Sequence, residues 1–95
     1  MNFSILQNEY KDRIVRIAET CMVDDIKVFG SILRGELSEN SDVDFLVKMK
    51  PNSGFAIGGL KYRLEKLLNR RVDVVSENAL HYLIKDQILK EAVHL

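Results

Sequence analysis

The apolar positions Leu6, Tyr10, Ile14, Ile17, Ala18 and Cys21 recur at steps of three and four, the spacing that lays one stripe along a helix. The charged residues between them, Glu9, Lys11, Asp12, Arg13, Arg16 and Glu19, then fall mainly on the solvated faces. Asp24-Asp25 break the stripe. Ile26-Lys27-Val28-Phe29 is a short β-branched and aromatic run closed by Gly30, which predicts a strand running into a turn. A short helical turn can start there, with Ser31 as its N-cap and Gly35 as its stop. The polar segment Glu36-Leu37-Ser38-Glu39-Asn40-Ser41 predicts a loop. Over Asp42–Met49 the pattern changes to period two, with Val43, Phe45 and Val47 on one face and Asp42, Asp44 and Leu46 on the other.

After a second loop at Lys50-Pro51-Asn52-Ser53-Gly54, the positions Ile57, Leu60, Leu64, Leu67 and Leu68 form another helical stripe reaching about Asn69. Gly58-Gly59 weaken its first turn, so either the helix starts late or the backbone comes close to something there. Arg71-Val72-Asp73-Val74-Val75 predicts a third strand, with Val72 and Val74 on one face and Asp73 on the other. From about Asn78 the tail fits one or two short helical turns, and Ala92-Val93-His94-Leu95 fits a strand equally well. The order helix, strand, loop, strand, helix, strand, helix predicts a mixed α/β (α+β) fold: a small mixed β-sheet of three to four strands flanked by helices.

Length and charge narrow the function. The 95 residues, 46% hydrophobic, suit one domain over residues 1–95. A domain of this size hides about 60–65% of its unfolded surface, so a deep substrate cavity is not expected. Fourteen Lys+Arg balance fourteen Asp+Glu, which removes the plain electrostatic case for a nucleic-acid binder. The charge is nevertheless uneven. Residues 36–44 carry four acids (Glu36, Glu39, Asp42, Asp44) and no base, whereas residues 48–71 carry seven bases (Lys48, Lys50, Lys61, Arg63, Lys66, Arg70, Arg71) against Glu65. A solvated helix face explains most of that basic stretch, and Tyr62 alone gives little support for base stacking. The single Cys21 closes an apolar stripe, and its spacing from His81 and His94 suggests no zinc site. A lone cysteine, no basic leader and no apolar run long enough to span a bilayer predict a soluble, cytoplasmic protein with no membrane association.

The candidate chemistry lies in three aspartates. Asp42 and Asp44 point the same way from one strand with roots about 6.5 to 7 Å apart, and Asp73 on an adjoining strand would sit about 4.8 Å to the side. Three anions at that range repel unless protonated or neutralised. Hard divalent cations suit such oxygen clusters, above all Mg²⁺ with substrate phosphates as its remaining ligands. A D-x-D alone is more often merely a strand entrance with solvated acids, because the motif is short. Gly30-Ser31 adds a turn whose amides and hydroxyl can bind phosphate, although neither a P-loop nor a G-x-G-x-x-G is present. Arg34 either pairs bidentately with phosphate oxygens or is a surface arginine paired to Glu36 or Glu39.

Gly30-Ser31, a ten-residue spacer containing Arg34-Gly35-Glu36, the run Ser41-Asp42-Val43-Asp44-Phe45-Leu46-Val47 and the later Arg71-Val72-Asp73-Val74-Val75 together resemble the minimal nucleotidyltransferases of the DNA polymerase β superfamily. In particular they resemble the antitoxins of prokaryotic HEPN/MNT toxin–antitoxin pairs. The resemblance runs from the first helix to Ile88-Leu89-Lys90-Glu91-Ala92-Val93 and implies a nucleotidyltransferase fold. It further implies ATP- and Mg²⁺-dependent transfer of AMP to a hydroxyl, with a tyrosine of a cognate HEPN ribonuclease toxin as acceptor and neutralisation of that toxin as the result. On this resemblance Asp42, Asp44 and Asp73 would hold metal, Asp73 would also help deprotonate the attacking hydroxyl, and Gly30, Ser31 and Arg34 would contact phosphates. Two rivals remain: an antitoxin that blocks its partner by contact alone, and a polymerising transferase. The latter is disfavoured because such enzymes need extra modules to hold the polymer, so no direct nucleic-acid substrate is expected.

Overall fold

The computed structural model describes residues 1–95. The first stripe folds as one helix, α1, which is α-helical over Phe3–Ile5, π-helical over Leu6–Tyr10 and α-helical again over Lys11–Thr20. Asn2 caps it by accepting the Ile5 N–H at 2.8 Å. Leu6, Ile14 and Ala18 are its buried positions. At its end the Cys21 N–H donates to the Ile17 and Ala18 carbonyls, and Met22 in the left-handed region (φ 64°) turns the chain into the sheet.

Strand β1 spans Val23–Phe29 and so begins three residues before the predicted Ile26. Asp24-Asp25 do not interrupt it, because a register shift between Val23 and Asp25 absorbs the polar pair and sets Asp25 across from Lys48. β2 (Val43–Met49) is antiparallel to β1, and β3 (Val72–Ser76) lies parallel to β2 on its other side. The parallel pair needs a crossover, which the helix α2 (Ala56–Leu68) supplies. Asn69 at φ 52° ends that helix in a left-handed cap. Gly58-Gly59 lie within α2 with open space where a Cβ would point, so neither the late start nor the close approach expected of them occurs.

The tail resolves into a helix and a strand. Helix α3 (Tyr82–Glu91) is capped by His81, whose Nδ1 accepts the Leu83 N–H at 3.2 Å. β4 (Val93–His94) pairs antiparallel with Lys27 and Val28 of β1, completing the order β3-β2-β1-β4. Gln7 of α1 donates to the Leu95 carbonyl at 2.8 Å, fixing the end of the chain against the first helix.

The core forms on the face predicted by the period-two pattern. Val28, Val43, Phe45, Val47 and Val72 from the sheet pack with Leu6 and Ile14 of α1 and Leu60, Leu64 and Leu68 of α2. Leu46 points to the opposite face with Asp44 yet is only 1% exposed, outside that cluster. The 3₁₀ turn Glu77–Ala79 contacts β2, so the second face of the sheet is partly covered. No helix is long and apolar enough to cross a membrane.

Candidate active site

The antiparallel register sets Phe29, the last residue of β1, across from Asp44 of β2. Immediately after it the chain turns through a 3₁₀ segment, Gly30–Ile32, closed by the Leu33 N–H donating to the Gly30 carbonyl. Ser31 therefore lies inside the turn rather than capping it, and Phe29 holds the preceding extended position. The Ser31 carbonyl accepts from the Arg34 and Glu36 amides, and Gly35 at φ +70° ends the turn as expected. Gly30 is buried at φ +80°, and a Cβ built on it would land on Asp44 Oδ2. Glycine is thus required twice at this position, for its backbone conformation and for the approach of the carboxylate.

Parallel pairing places Asp44 beside Asp73 and Val43 beside Val72. Asp73 is exposed on β3, an edge strand, while Asp44 is half-buried on the inner strand β2. Burial pushes the Asp44 carboxyl from its ordinary 3.8 up to about 6, and the negative charges of Asp73 and Asp42 add to the effect while Arg34 opposes it. Asp42 lies one residue before the strand and is engaged by Arg71, with Nε 3.1 Å from Oδ1. That ion pair follows from the register: if Val43 sits beside Val72, the preceding residues Asp42 and Arg71 are neighbours too. The sequence places Arg71 at the start of the third strand and in the basic stretch, with no signal that it pairs with Asp42.

A second missed residue is Glu91, the last residue of α3. Its Oε1 accepts both the Gly30 N–H at 3.1 Å and Arg34 Nη1 at 2.7 Å. The Gly30 amide, expected to receive a phosphate, is therefore satisfied by a carboxylate. Arg34 also donates through Nε to Glu36 at 3.2 Å, so the surface pairing expected for it is present, with Glu91 in place of Glu39. The Glu36 hydrogen bond leads the causes that raise the Arg34 pKa above its ordinary value. Local sequence carried no signal for Glu91, since 61 residues separate it from Gly30 and only the return of the tail to β1 joins them.

The basic pair at the start of β3 has a structural use. Arg70 Nη2 donates to the Ser38 and Ser41 carbonyls, and Arg71 Nη2 to that of Asn40, pinning the acidic loop that leads into β2. None of the molecule's cavities is lined by Asp42, Asp44 or Asp73; the groove of about 330 Å³ between α1 and β1 lies at the other end of β1, beside Asp25 and His94. Of the three, Asp73 is exposed while Asp42 and Asp44 are half-buried. No three acidic, histidine or cysteine side chains close into a ready-made metal cage. What the structure supplies is a pair of neighbouring carboxylates, one of which, Asp44, has its pKa raised to about 6 by burial and like charge.

The nucleotidyltransferase domain profile matches residues 8–95. The chain belongs to the nucleotidyltransferase domain family. A candidate protein adenylyltransferase of Methanocaldococcus jannaschii is 42% identical to it over 87 residues, 90% of this chain and 94% of the relative. A solved candidate minimal nucleotidyltransferase superposes with TM-score 0.88 at 34% identity, over 100% of this chain and 97% of that one. A chain from the complex of a tri-AMPylated Shewanella oneidensis HEPN toxin with MNT antitoxin shares the fold at TM-score 0.64 and 19% identity, covering 87% of this chain and 66% of that one. The mixed sheet flanked by helices is thus the nucleotidyltransferase fold inferred from the motif.

Proposed function

We propose that the chain transfers AMP from ATP to a hydroxyl of a partner protein, a tyrosine of a HEPN ribonuclease toxin, and so neutralises it as an antitoxin. The observation that carries this reading is the side-by-side placement of Asp44 and Asp73, with the Gly30–Ser31 turn packed directly against Asp44. The family supports nucleotidyl transfer, the M. jannaschii relative supports a protein acceptor, and the HEPN–MNT complex supports the partner class.

The site suits Mg²⁺. This ion seldom sits in an all-protein cage and is commonly bound by one or two carboxylates plus substrate phosphates, which is the donor set available here. Asp44 and Asp73 are the residues that would hold it, with Asp42 joining once released from Arg71. When bound, Mg²⁺ would offset the charge of the triphosphate and of the bond-breaking step. The rest falls to this chain's own groups. Ser31 and Arg34 orient the triphosphate at the turn, and Gly30 keeps the turn against Asp44. The acceptor oxygen attacks the α-phosphorus, the bond to the β-phosphate breaks, and pyrophosphate leaves. Asp73 takes the hydroxyl proton; its exposure on an edge strand, where a bulky protein acceptor can approach, supports that role.

The test is incubation of the chain with Mg²⁺, α-labelled ATP and the product of the neighbouring gene, comparing wild type with Asp42→Asn/Asp44→Asn by gel and mass spectrometry. Label on the partner that disappears in the variant is expected. A stable complex without label, in which Asp44→Asn still neutralises the partner stoichiometrically, would replace catalysis with blocking by contact.

A further inference from the structure

Glu91 has no place in the chemistry above, yet it touches the two elements that the triphosphate is expected to meet. One of its carboxylate oxygens accepts from the Gly30 amide and from Arg34 Nη1. Its side chain is 29% exposed, against 50% for Arg34. Its backbone is fixed as well: it ends α3, and β4, which starts two residues later, is hydrogen-bonded to Lys27 and Val28 on the strand that delivers Gly30.

We propose that Glu91 is a positioning residue for nucleotidyl transfer, one that clamps the Gly30 amide and the Arg34 guanidinium together and so sets the turn and the arginine for the triphosphate. The inference deepens the reading given above and rests on it. Gly30 lies close to Asp44 Oδ2 on its Cα side, and Glu91 restrains the same residue through its amide. Arg34 is half exposed, and a free arginine of that kind loses rotamer entropy when a ligand immobilises it. Here that ordering precedes ligand binding. Glu36 engages Nε and Glu91 engages Nη1, so two carboxylates fix the guanidinium from different edges and leave Nη2 for a phosphate oxygen. The opposite arrangement, in which Glu91 occupies a phosphate position and must be expelled, reverses the sign of the experiment below.

Binding of a non-hydrolysable ATP analogue with Mg²⁺ is measured by calorimetry for wild type, Glu91→Ala, Glu91→Gln, Arg34→Ala and the Arg34→Ala/Glu91→Ala pair. The KM for ATP and kcat for label transfer are measured alongside, and thermal melts confirm folding. Loss of a charge-assisted hydrogen bond predicts about ten-fold weaker analogue binding and a KM raised to match in Glu91→Ala. Glu91→Gln keeps an acceptor oxygen of the same shape and is expected to recover most of that loss, with kcat little changed. Because Glu91 acts in part through Arg34, Glu91→Ala should cost clearly less in the Arg34→Ala background than in wild type, a coupling that a merely structural role would not produce. Unchanged or tighter binding in Glu91→Ala, or fully additive losses in the pair, overturns the clamp while leaving nucleotidyl transfer standing. A wild-type chain that binds no analogue overturns both.

Discussion

Gly30 and Asp44 are the pair on which the site turns, and both have measurable consequences. Alanine at position 30 would strain a backbone held at φ +80° and drive a methyl group into Asp44 Oδ2. Gly30→Ala is expected to destabilise the fold by about 2 kcal/mol and to abolish transfer, since the turn and the carboxylate cannot both keep their places. A denaturant melt together with the label-transfer assay checks this. Asp44 makes a pH prediction. Its folded pKa, about 6, lies above its ordinary 3.8, so the native state holds the proton more tightly than the unfolded chain. The stabilisation from this group is full below about pH 4 and is lost as pH rises through about 6. In metal-free buffer Asp44→Asn should therefore melt higher than wild type at pH 7, with the difference closing toward pH 4. An equal difference at both pH values would show that the carboxyl is not perturbed.

Among the elements, those with long periodic stripes were legible and those made by tertiary pairing were not. Leu6, Ile14 and Ala18 on α1, Leu60, Leu64 and Leu68 on α2, and Val43, Phe45 and Val47 on β2 are all buried where their spacing placed them. The start of β1 was not legible, because pairing of Asp25 with Lys48 overrides the poor strand propensity of two aspartates. The site was legible in part for the same reason. Alternation along β2 and β3 brings out Asp44 and Asp73, whereas the partners Arg71 and Glu91 depend on strand register and on the return of the tail. Gly58-Gly59 show the limit of local rules from the other side. They sit in a regular helix, with open space where a Cβ would point and no positive φ to explain them. Gly58→Ala and Gly59→Ala should each raise stability by about 0.5–1 kcal/mol, read as a higher denaturation midpoint with unchanged slope.

At the scale of the whole molecule, the core and the chemistry lie on opposite faces of one sheet, and the chemical face is only thinly covered. Helix α3 has no buried residue, and Tyr82 and Leu83 are 76% and 70% exposed. The aspartates line no cavity, so the ligand itself must complete the site. Ligand binding should then register strongly in global stability. For a ligand at 100 times its Kd the gain is about 2.7 kcal/mol, and each kcal/mol moves the Tm of a domain this small by about 4–8 °C. The pH dependence of that gain opposes the dependence of the ligand-free protein. Without ligand, ionisation of Asp44 weakens the fold as pH rises. On the proposed role of Asp44 in holding Mg²⁺ with ATP, the same ionisation would supply the ligand, so the stabilisation should grow from pH 5 to pH 7 as Asp44 loses its proton around pH 6. Melts at fixed Mg²⁺ and ATP should therefore diverge from the ligand-free curve across that interval, and addition of EDTA should collapse the difference. In Asp44→Asn the two curves should run together if Asp44 is the proposed metal-holding group. A wild-type gain that is flat between pH 5 and pH 7 would separate Asp44 from nucleotide binding.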